Sequence, residues 1–467
     1  MVFTLDSRAW AGEQFSDCDL GDKRRTKRLI KMAEQVANNS SASFCEQMET
    51  WGDLKAAYRL FDEDDVTFEA IARPHWEQTR RLASGRCLVI NDTTELDFGK
   101  QHDIQGLAAI GNGSGRGFLL HNALLVAADN QEILGVAGQK IHYRKARPKN
   151  ETAAQRLKRE RESKVWGELI DDVGRPAEGV QLVHVCDRGA DGFEVFCHFV
   201  KRQTDWVVRA SSLHRVIMTP DGEKLPLSEY LLTLPLAGTY ELHLRARKDQ
   251  PARIAKLEVR FGKLRMPAPV QQSPYVKTCG LSSIEMWVVE VREVDSPKGV
   301  KPIAWVLYTS LPITTFDDAR LIIEYYEARW LVEEYHKALK TGCRVTKRIL
   351  REASRLEPMV GLMSVVAVRL LQLKSVARSD PNRPARQIVP RLWLVMLKVT
   401  RKNLRRVYDL TIREFYRELA KLGGFLGRKS DGEPGWITIW RGWQKLNTMV
   451  RGAELALRFK SELEKCG

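Results

Sequence analysis

The chain has 467 residues, 43% of them hydrophobic and 8% aromatic, and carries a formal net charge of +16. That is enough apolar material for two or three packed domains and excludes an intrinsically disordered chain. The basic excess points to a polyanionic partner, and no run approaches the ~18 uninterrupted apolar residues of a membrane span.

The charge is uneven. Residues 1–75 hold 10 Lys+Arg against 14 Asp+Glu, whereas residues 351–467 hold 24 against 11. Residues 1–75 read as helical, with Asp22 as N-cap for KRRTKRLIKMAEQVA. That helix packs six basic residues into the nine positions 23–31, among them Arg24, Arg25 and Arg28, with Leu29, Ile30, Met32 and Val36 as its apolar anchor. A charge run is as often a solvated face as a binding surface. WGDLKAAYRLFDEDDVTFEAI follows as a helix, an acidic turn and another helix.

From residue 87 the period becomes that of strands. CLVIND ends on Asp92, FLLHNALLVAAD and EILGVAGQKIHYR pair across an Asp129–Asn130 turn, and VQLVHVCD ends on Asp187. A basic loop and one helix (RKARPKNETAAQRLKRERESKVW) precede the last of these; DGFEVFCHFVKRQ is helical and DWVVRAS is a strand. The order three strands, helix, strand, helix, strand is that of an RNase H-like fold. Both aspartates are expected at strand ends, where α/β folds place ligand chemistry. Residues 211–300 read as an antiparallel β insertion, with a Lys-Asp-Gln-Pro turn and a loop marked by Pro267, Pro269 and Pro274. The core resumes at PIAWVLYTS.

LIIEYYEARWLVEEYHKALKTG, residues 321–342, reads as one amphipathic helix. At about 100° per residue, Tyr326, Arg329, Glu333, Lys337 and Lys340 share a narrow polar strip, while Leu331, Val332, Tyr335 and Leu339 face inward. On the plainer reading the strip is a solvated helix face with i,i+4 ion pairs such as Glu333–Lys337. Residues 351–467 are helical and basic, with a polar linker SDPNRPARQ. Eight cysteines show no metal-ligand spacing and no disulfide framework, as in a reducing compartment. No signal peptide is recognised, so the protein is expected in the cytoplasm.

Tyr326-x2-Arg329-x3-Glu333-x6-Lys340, with NDTTELDFG at 91–99 and VCDRGAD at 185–191, resembles the YREK motif and acidic segments of bacterial DDE transposases. The nearest likeness is to the insertion-sequence-four family, which includes the transposase of transposon five. The resemblance spans the chain from LGDKRRTKRL to LGGFLGRKSDGEPGWITIWRGW. It implies an RNase H-like mixed-sheet catalytic core at 76–350 with the β insertion, between a helical DNA-binding domain at 1–75 and a helical dimerisation domain at 351–467.

By the same resemblance, Asp92, Asp187 and Glu333 hold two Mg²⁺ ions, with Mn²⁺ as a substitute. Two such ions about 3.5–4 Å apart activate an oxygen nucleophile and neutralise the leaving oxygen. Arg329 and Lys340 hold phosphates near the scissile bond, Tyr326 donates its hydroxyl to another, and Lys337 is a further DNA contact. Trp305 stacks a flipped base during hairpin formation. Arg24, Arg25 and Arg28 grip the transposon end. The implied partners are double-stranded DNA, as inverted ends and target, and a second copy of the chain, in a nucleoid-associated setting without a membrane.

One departure stands out: relatives read Asp-Arg-Glu-Ala-Asp where this chain has Gly189. Two other function classes compete, an inactive DNA-binding relic or inhibitor and an RNase H-like nuclease without strand transfer. Binding without cutting marks the first, and cutting without joining the second.

Overall fold

The computed structural model describes residues 6–99, 104–146, 148, 150–159, 161–244, 252–348, 350–401, 404, 407–428 and 431–460. The N-terminal helices are α1 (Ser7–Phe15), α2 (Lys23–Asn38), α3 (Phe44–Gln47), α4 (Trp51–Leu60) and α5 (Phe68–Arg81). Asp22 caps α2 by accepting from the Arg24 N–H, and Leu29, Met32, Ala33 and Val36 are its buried stripe. The acidic turn at 61–65 separates α4 from α5, as the charge pattern implied.

The strands β1 (Gly85–Asp97), β2 (Ala108–Ile110), β3 (Gly115–Ala127) and β4 (Ile133–His142) open the core. The basic stretch after β4 forms two helices, α6 (Ala153–Lys158) and α7 (Glu162–Val173), where one was expected. Then come β5 (Val180–Cys186), α8 (Phe193–Arg202) and β6 (Asp205–Arg209). The insertion holds β7 (Val216–Met218), β8 (Lys224–Pro226), α9 (Leu227–Thr233), β9 (Leu236–Leu244), β10 (Arg253–Pro267), α10 (Pro274–Cys279) and β11 (Ser283–Val294). Its expected Lys-Asp-Gln-Pro turn lies outside the described residues. The core returns in β12 (Ala304–Thr309).

Among the described residues these strands form one twelve-stranded mixed sheet, ordered β2-β3-β1-β5-β6-β12-β11-β10-β7-β8, with β4 on β3 and β9 on β10. β1 runs antiparallel to β3 and parallel to β5, and β5 is parallel to β6, which is the RNase H-like arrangement. The insertion does not sit apart. It extends the same sheet, because β12 pairs antiparallel with both β6 and β11.

The pleat sorts the side chains onto two covered faces. Leu88, Ile90, Leu120, Leu124, Val183 and Val185 belong to the core beneath α11 (Phe316–Glu327), α12 (Trp330–Lys337) and α13 (Ala353–Ser379). Cys87, Val89, Leu125 and Leu182 face the other way, toward Leu169 and Val173 of α7. Both faces being covered explains the near-continuous apolar runs of β1, β3 and β5.

Helix α13 packs against α5 and β4. It therefore belongs to the layer over the sheet, although the sequence reading placed it wholly in a C-terminal domain. Beyond it lie α14 (Arg391–Thr400), α15 (Ile412–Leu422) and α16 (Trp436–Arg458). Helices α15 and α16 meet backbone to backbone: a Cβ on Gly442 would stand 1.7 Å from the Leu419 carbonyl oxygen. Cys18, Cys45, Cys87, Cys186, Cys197, Cys279 and Cys343 are all free thiols. No helix among the described residues is long and apolar enough to cross a membrane.

Candidate active site

Asn91 of β1 and Cys186 of β5 are the last partners of the parallel ladder, so Asp92 and Asp187 follow side by side. Each continues the even or odd series that faces α12: Leu88, Ile90, Asp92 on β1 and Val183, Val185, Asp187 beyond β5. Asp187 leaves the strand as expected and accepts from the Gly189 N–H at 2.7 Å. Asp92 does not end its strand. β1 continues to Asp97 because β3 pairs with it as far as Gly117, well past the point where β5 stops.

The helix that brings the third acid is not the single rod the periodicity suggested. Between α11 and α12 the Leu331 N–H bonds to Ala328 O and the Val332 N–H to Arg329 O, a tightened i→i+3 joint. A π turn then spans Ala338–Gly342. These two changes of pitch shift the phase, so the expected polar strip is broken. Tyr326 is buried, and its ring meets Trp305 edge-on at 5.7 Å. Lys337 is exposed, while Lys340 sits half-buried in the π turn, where burial lowers its pKa against the pull of Glu95.

Arg329 joins the sheet to the helix. Its Nη1 donates to Asp92 Oδ2 at 2.6 Å and its Nη2 to Glu333 Oε1 at 2.5 Å. Glu333 thus pairs with Arg329, four residues before it, and not with Lys337, its partner on the plainer reading. Burial raises the pKa of Asp92 to about 6, against the Arg329 charge and the Thr93 N–H, and Asp187 and Glu333 push it the same way. Burial opposes the Arg329 charge, but Asp92 and Glu333 outweigh it and hold the guanidinium above its ordinary range. Two carboxylates from neighbouring strands and one from the covering helix therefore share one electrostatic neighbourhood.

Three family models match the chain: Transposase DNA-binding over residues 7–66, Transposase DDE domain over 153–368, and Transposase Tn5 dimerisation domain over 365–463. The three domains are those of a DDE transposase. The DDE match contains Asp187 and Glu333 but begins after Asp92, whose part in the site rests on the sheet register. The dimerisation match begins inside α13, so the layer over the transposase core and its C-terminal domain share a helix.

In the DNA-binding match, the three arginines differ. Arg24 is almost fully exposed and, among the described residues, paired with its neighbour Asp22. Arg25 is drawn to Glu63 and Asp65 of the acidic turn, and Arg28 reaches Asp53 at 2.6 Å beside Lys31. The acids that make this transposase domain net negative therefore hold two of the three arginines in place.

Trp305 is half-buried in β12, opposite Val291. Gly189 has a local reason: a Cβ there would lie 2.9 Å from Trp166 Cζ2, so the α7 tryptophan fills the space a side chain would take. Asp191, the second acid of the same segment, is structural, accepting from Ser211 N and Oγ and pairing with Arg215 at 2.8 Å. Among the described residues no three His, Cys, Asp or Glu side chains stand grouped to hold a metal ion, Arg329 lying between two of the acids. Sequence reasoning missed the buried polar layer behind these acids, which includes Asn122, Gln139 and His336. The signal was an amide interrupting each of the apolar runs of β3 and β4.

Proposed function

We propose that this transposase works by cut and paste: a dimer binds the inverted ends of its element, hydrolyses the flanking phosphodiesters, closes a hairpin and joins the ends to a target. The observation that carries the proposal is the register that sets Asp92 beside Asp187, with Arg329 tying Glu333 of the covering helix to Asp92. Helical DNA-binding and dimerisation regions flank it.

The three acids suit a hard divalent cation. All donors are carboxylate oxygens, and Asp92 is raised first by burial and then by the charges of Asp187 and Glu333, a cost that a cation relieves. Asp92, Asp187 and Glu333 would hold Mg²⁺ or Mn²⁺, which would supply an activated water and a neutralised leaving oxygen.

The chain's own groups do the rest. Arg329 neutralises Asp92 and Glu333 in the DNA-free protein, and the same planar fork can turn to a phosphate, which it would grip with two hydrogen bonds. Lys340 and the exposed Lys337 add point charges along the helix. Tyr326, whose ring meets Trp305, would offer its hydroxyl to a phosphate. Trp305, half-buried in β12, would stack an unstacked base.

The test is a gel assay with labelled DNA carrying the element's ends, the protein and Mg²⁺. Nicking, a hairpin and a joined product support the proposal. Stable binding without cutting, or cutting without joining, contradicts it.

A further inference from the structure

Next to the acids, a second polar rung joins the sheet to α12. Asn122 stands opposite Asp92 in the β1–β3 register, so both side chains emerge on the same face. His336 follows Glu333 by three residues and shares its side of the helix. Asn122 Nδ2 donates to His336 Nε2 at 3.0 Å and to the Leu120 carbonyl at 3.0 Å, while its Oδ1 accepts from Gln139 Nε2 at 2.7 Å. With the amide oriented that way, His336 must accept and hence be neutral. Burial, with Lys340 and Arg329 nearby, agrees, lowering its pKa to about 3.

The rung is anchored on both sides. Gln139 Nε2 also lies 3.1 Å from Tyr335 Oη and 3.3 Å from Ser364 Oγ, and Trp76 Nε1 donates to Gln139 Oε1 at 3.3 Å. Asn122, Gln139 and His336 are all buried. Helix α12 needs such an anchor, because the tightened joint before it and the π turn after it release its rotation from the neighbouring turns. Apolar contacts along a helix tolerate small rotations, whereas a buried donor–acceptor pair is satisfied in one register only.

We propose that the Asn122–His336 hydrogen bond is a register pin, and that His336 is a positioning residue that holds Glu333 over Asp92. This rests on the reading of Asp92 and Glu333 as cleavage acids.

The experiment compares full-length wild type with His336→Leu, His336→Gln, the double variant Asn122→Leu/His336→Leu, and Glu333→Gln. Each is measured for melting temperature, binding to labelled end DNA and single-turnover nicking. Mn²⁺ binding to the protein–DNA complex is followed by electron paramagnetic resonance. His336→Leu is expected to nick about 10- to 100-fold more slowly, the scale of an ångström-size misplacement, with end binding unchanged. His336→Gln, whose Oε1 can accept from Asn122, should recover most of the rate. The double variant removes donor and acceptor together, so it should regain melting temperature yet remain slow and bind Mn²⁺ more weakly.

If the double variant regains both stability and rate, the pair is merely structural and the proposal falls. Wild-type nicking by His336→Leu, with Glu333→Gln inactive, overturns the pin alone. Wild-type nicking by Glu333→Gln overturns the underlying site reading and the pin with it. Should His336→Leu fail to fold, His336→Gln and the double variant decide the matter.

Discussion

Arg329 reaches across the helix–sheet interface to Asp92, Nη1 to Oδ2 at 2.6 Å, while its other amino group holds Glu333. Without this guanidinium, two partly buried carboxylates face each other unneutralised. Arg329→Met is therefore expected to destabilise the DNA-free protein by about 3 kcal/mol, the cost of breaking a desolvated pair. Adding Asp92→Asn should return much of that loss. Denaturant unfolding of the single and double variants checks this, and an Arg329→Met protein as stable as wild type would show the bridge to be incidental.

The N-terminal arginines divide into two kinds. Arg24→Ala should lower the salt slope of end-DNA binding by about 0.9 with little change in stability, as loss of one phosphate contact does. Arg25→Ala and Arg28→Ala should also lower the melting temperature, because the first takes the arginine from Glu63 and Asp65 and the second leaves the buried Asp53 with Lys31 as its cation. Equal salt slopes for wild type and Arg24→Ala would reduce that residue to a solvated cap neighbour.

Four buried histidines set an acid limit. Burial pushes His75 down to about 4 and His121, His184 and His336 to about 3. In each case the unfolded state, with a pKa near 6.5, binds a proton that the native state refuses, so stability falls as pH drops below about 6.5. Each histidine contributes about 1.4 kcal/mol per pH unit until its folded pKa is reached. Acids raised by burial, Asp92 among them, offset part of this by taking up protons in the native state. Denaturant unfolding at pH 7, 6 and 5 should show a steady loss. A flat profile would mean the histidines are already charged or solvated.

Trp305 separates hairpin formation from plain nicking. Its half-buried ring meets Tyr326 edge-on. Stacking worth about 1–3 kcal/mol per base corresponds to roughly 5- to 150-fold in rate. Trp305→Ala should slow hairpin closure by that factor and leave the first nick nearly normal. A uniform loss of both steps with a large fall in melting temperature would return Trp305 to a packing role.

Much of this architecture was readable before folding. The N-cap of α2, the acidic turn, the buried strands and the two aspartates after apolar runs are local signals, and local signals survive into the structure. The phase of residues 321–342 was not readable, because a tightened joint and a π turn depend on what the helix packs against. For the same reason the strip expected to hold Tyr326 with Glu333 came apart, and Glu333 found Arg329 instead of Lys337. The strand continuing past Asp92 depends on how far β3 runs beside it, a property of the partner strand. The Asn122–His336 rung joins residues more than two hundred positions apart, and only the sheet register makes them neighbours.

The most direct measurement is metal-dependent cleavage of labelled end DNA by Asp92→Asn, Asp187→Asn and Glu333→Gln, each beside its binding curve. Affinity for end DNA comes from many phosphate contacts spread over the protein, whereas cleavage needs all three carboxylates at one phosphate. Each variant should bind the end as wild type does and cut none of it with Mg²⁺ or Mn²⁺. Cleavage at the wild-type rate by any one of them would remove that acid from the site.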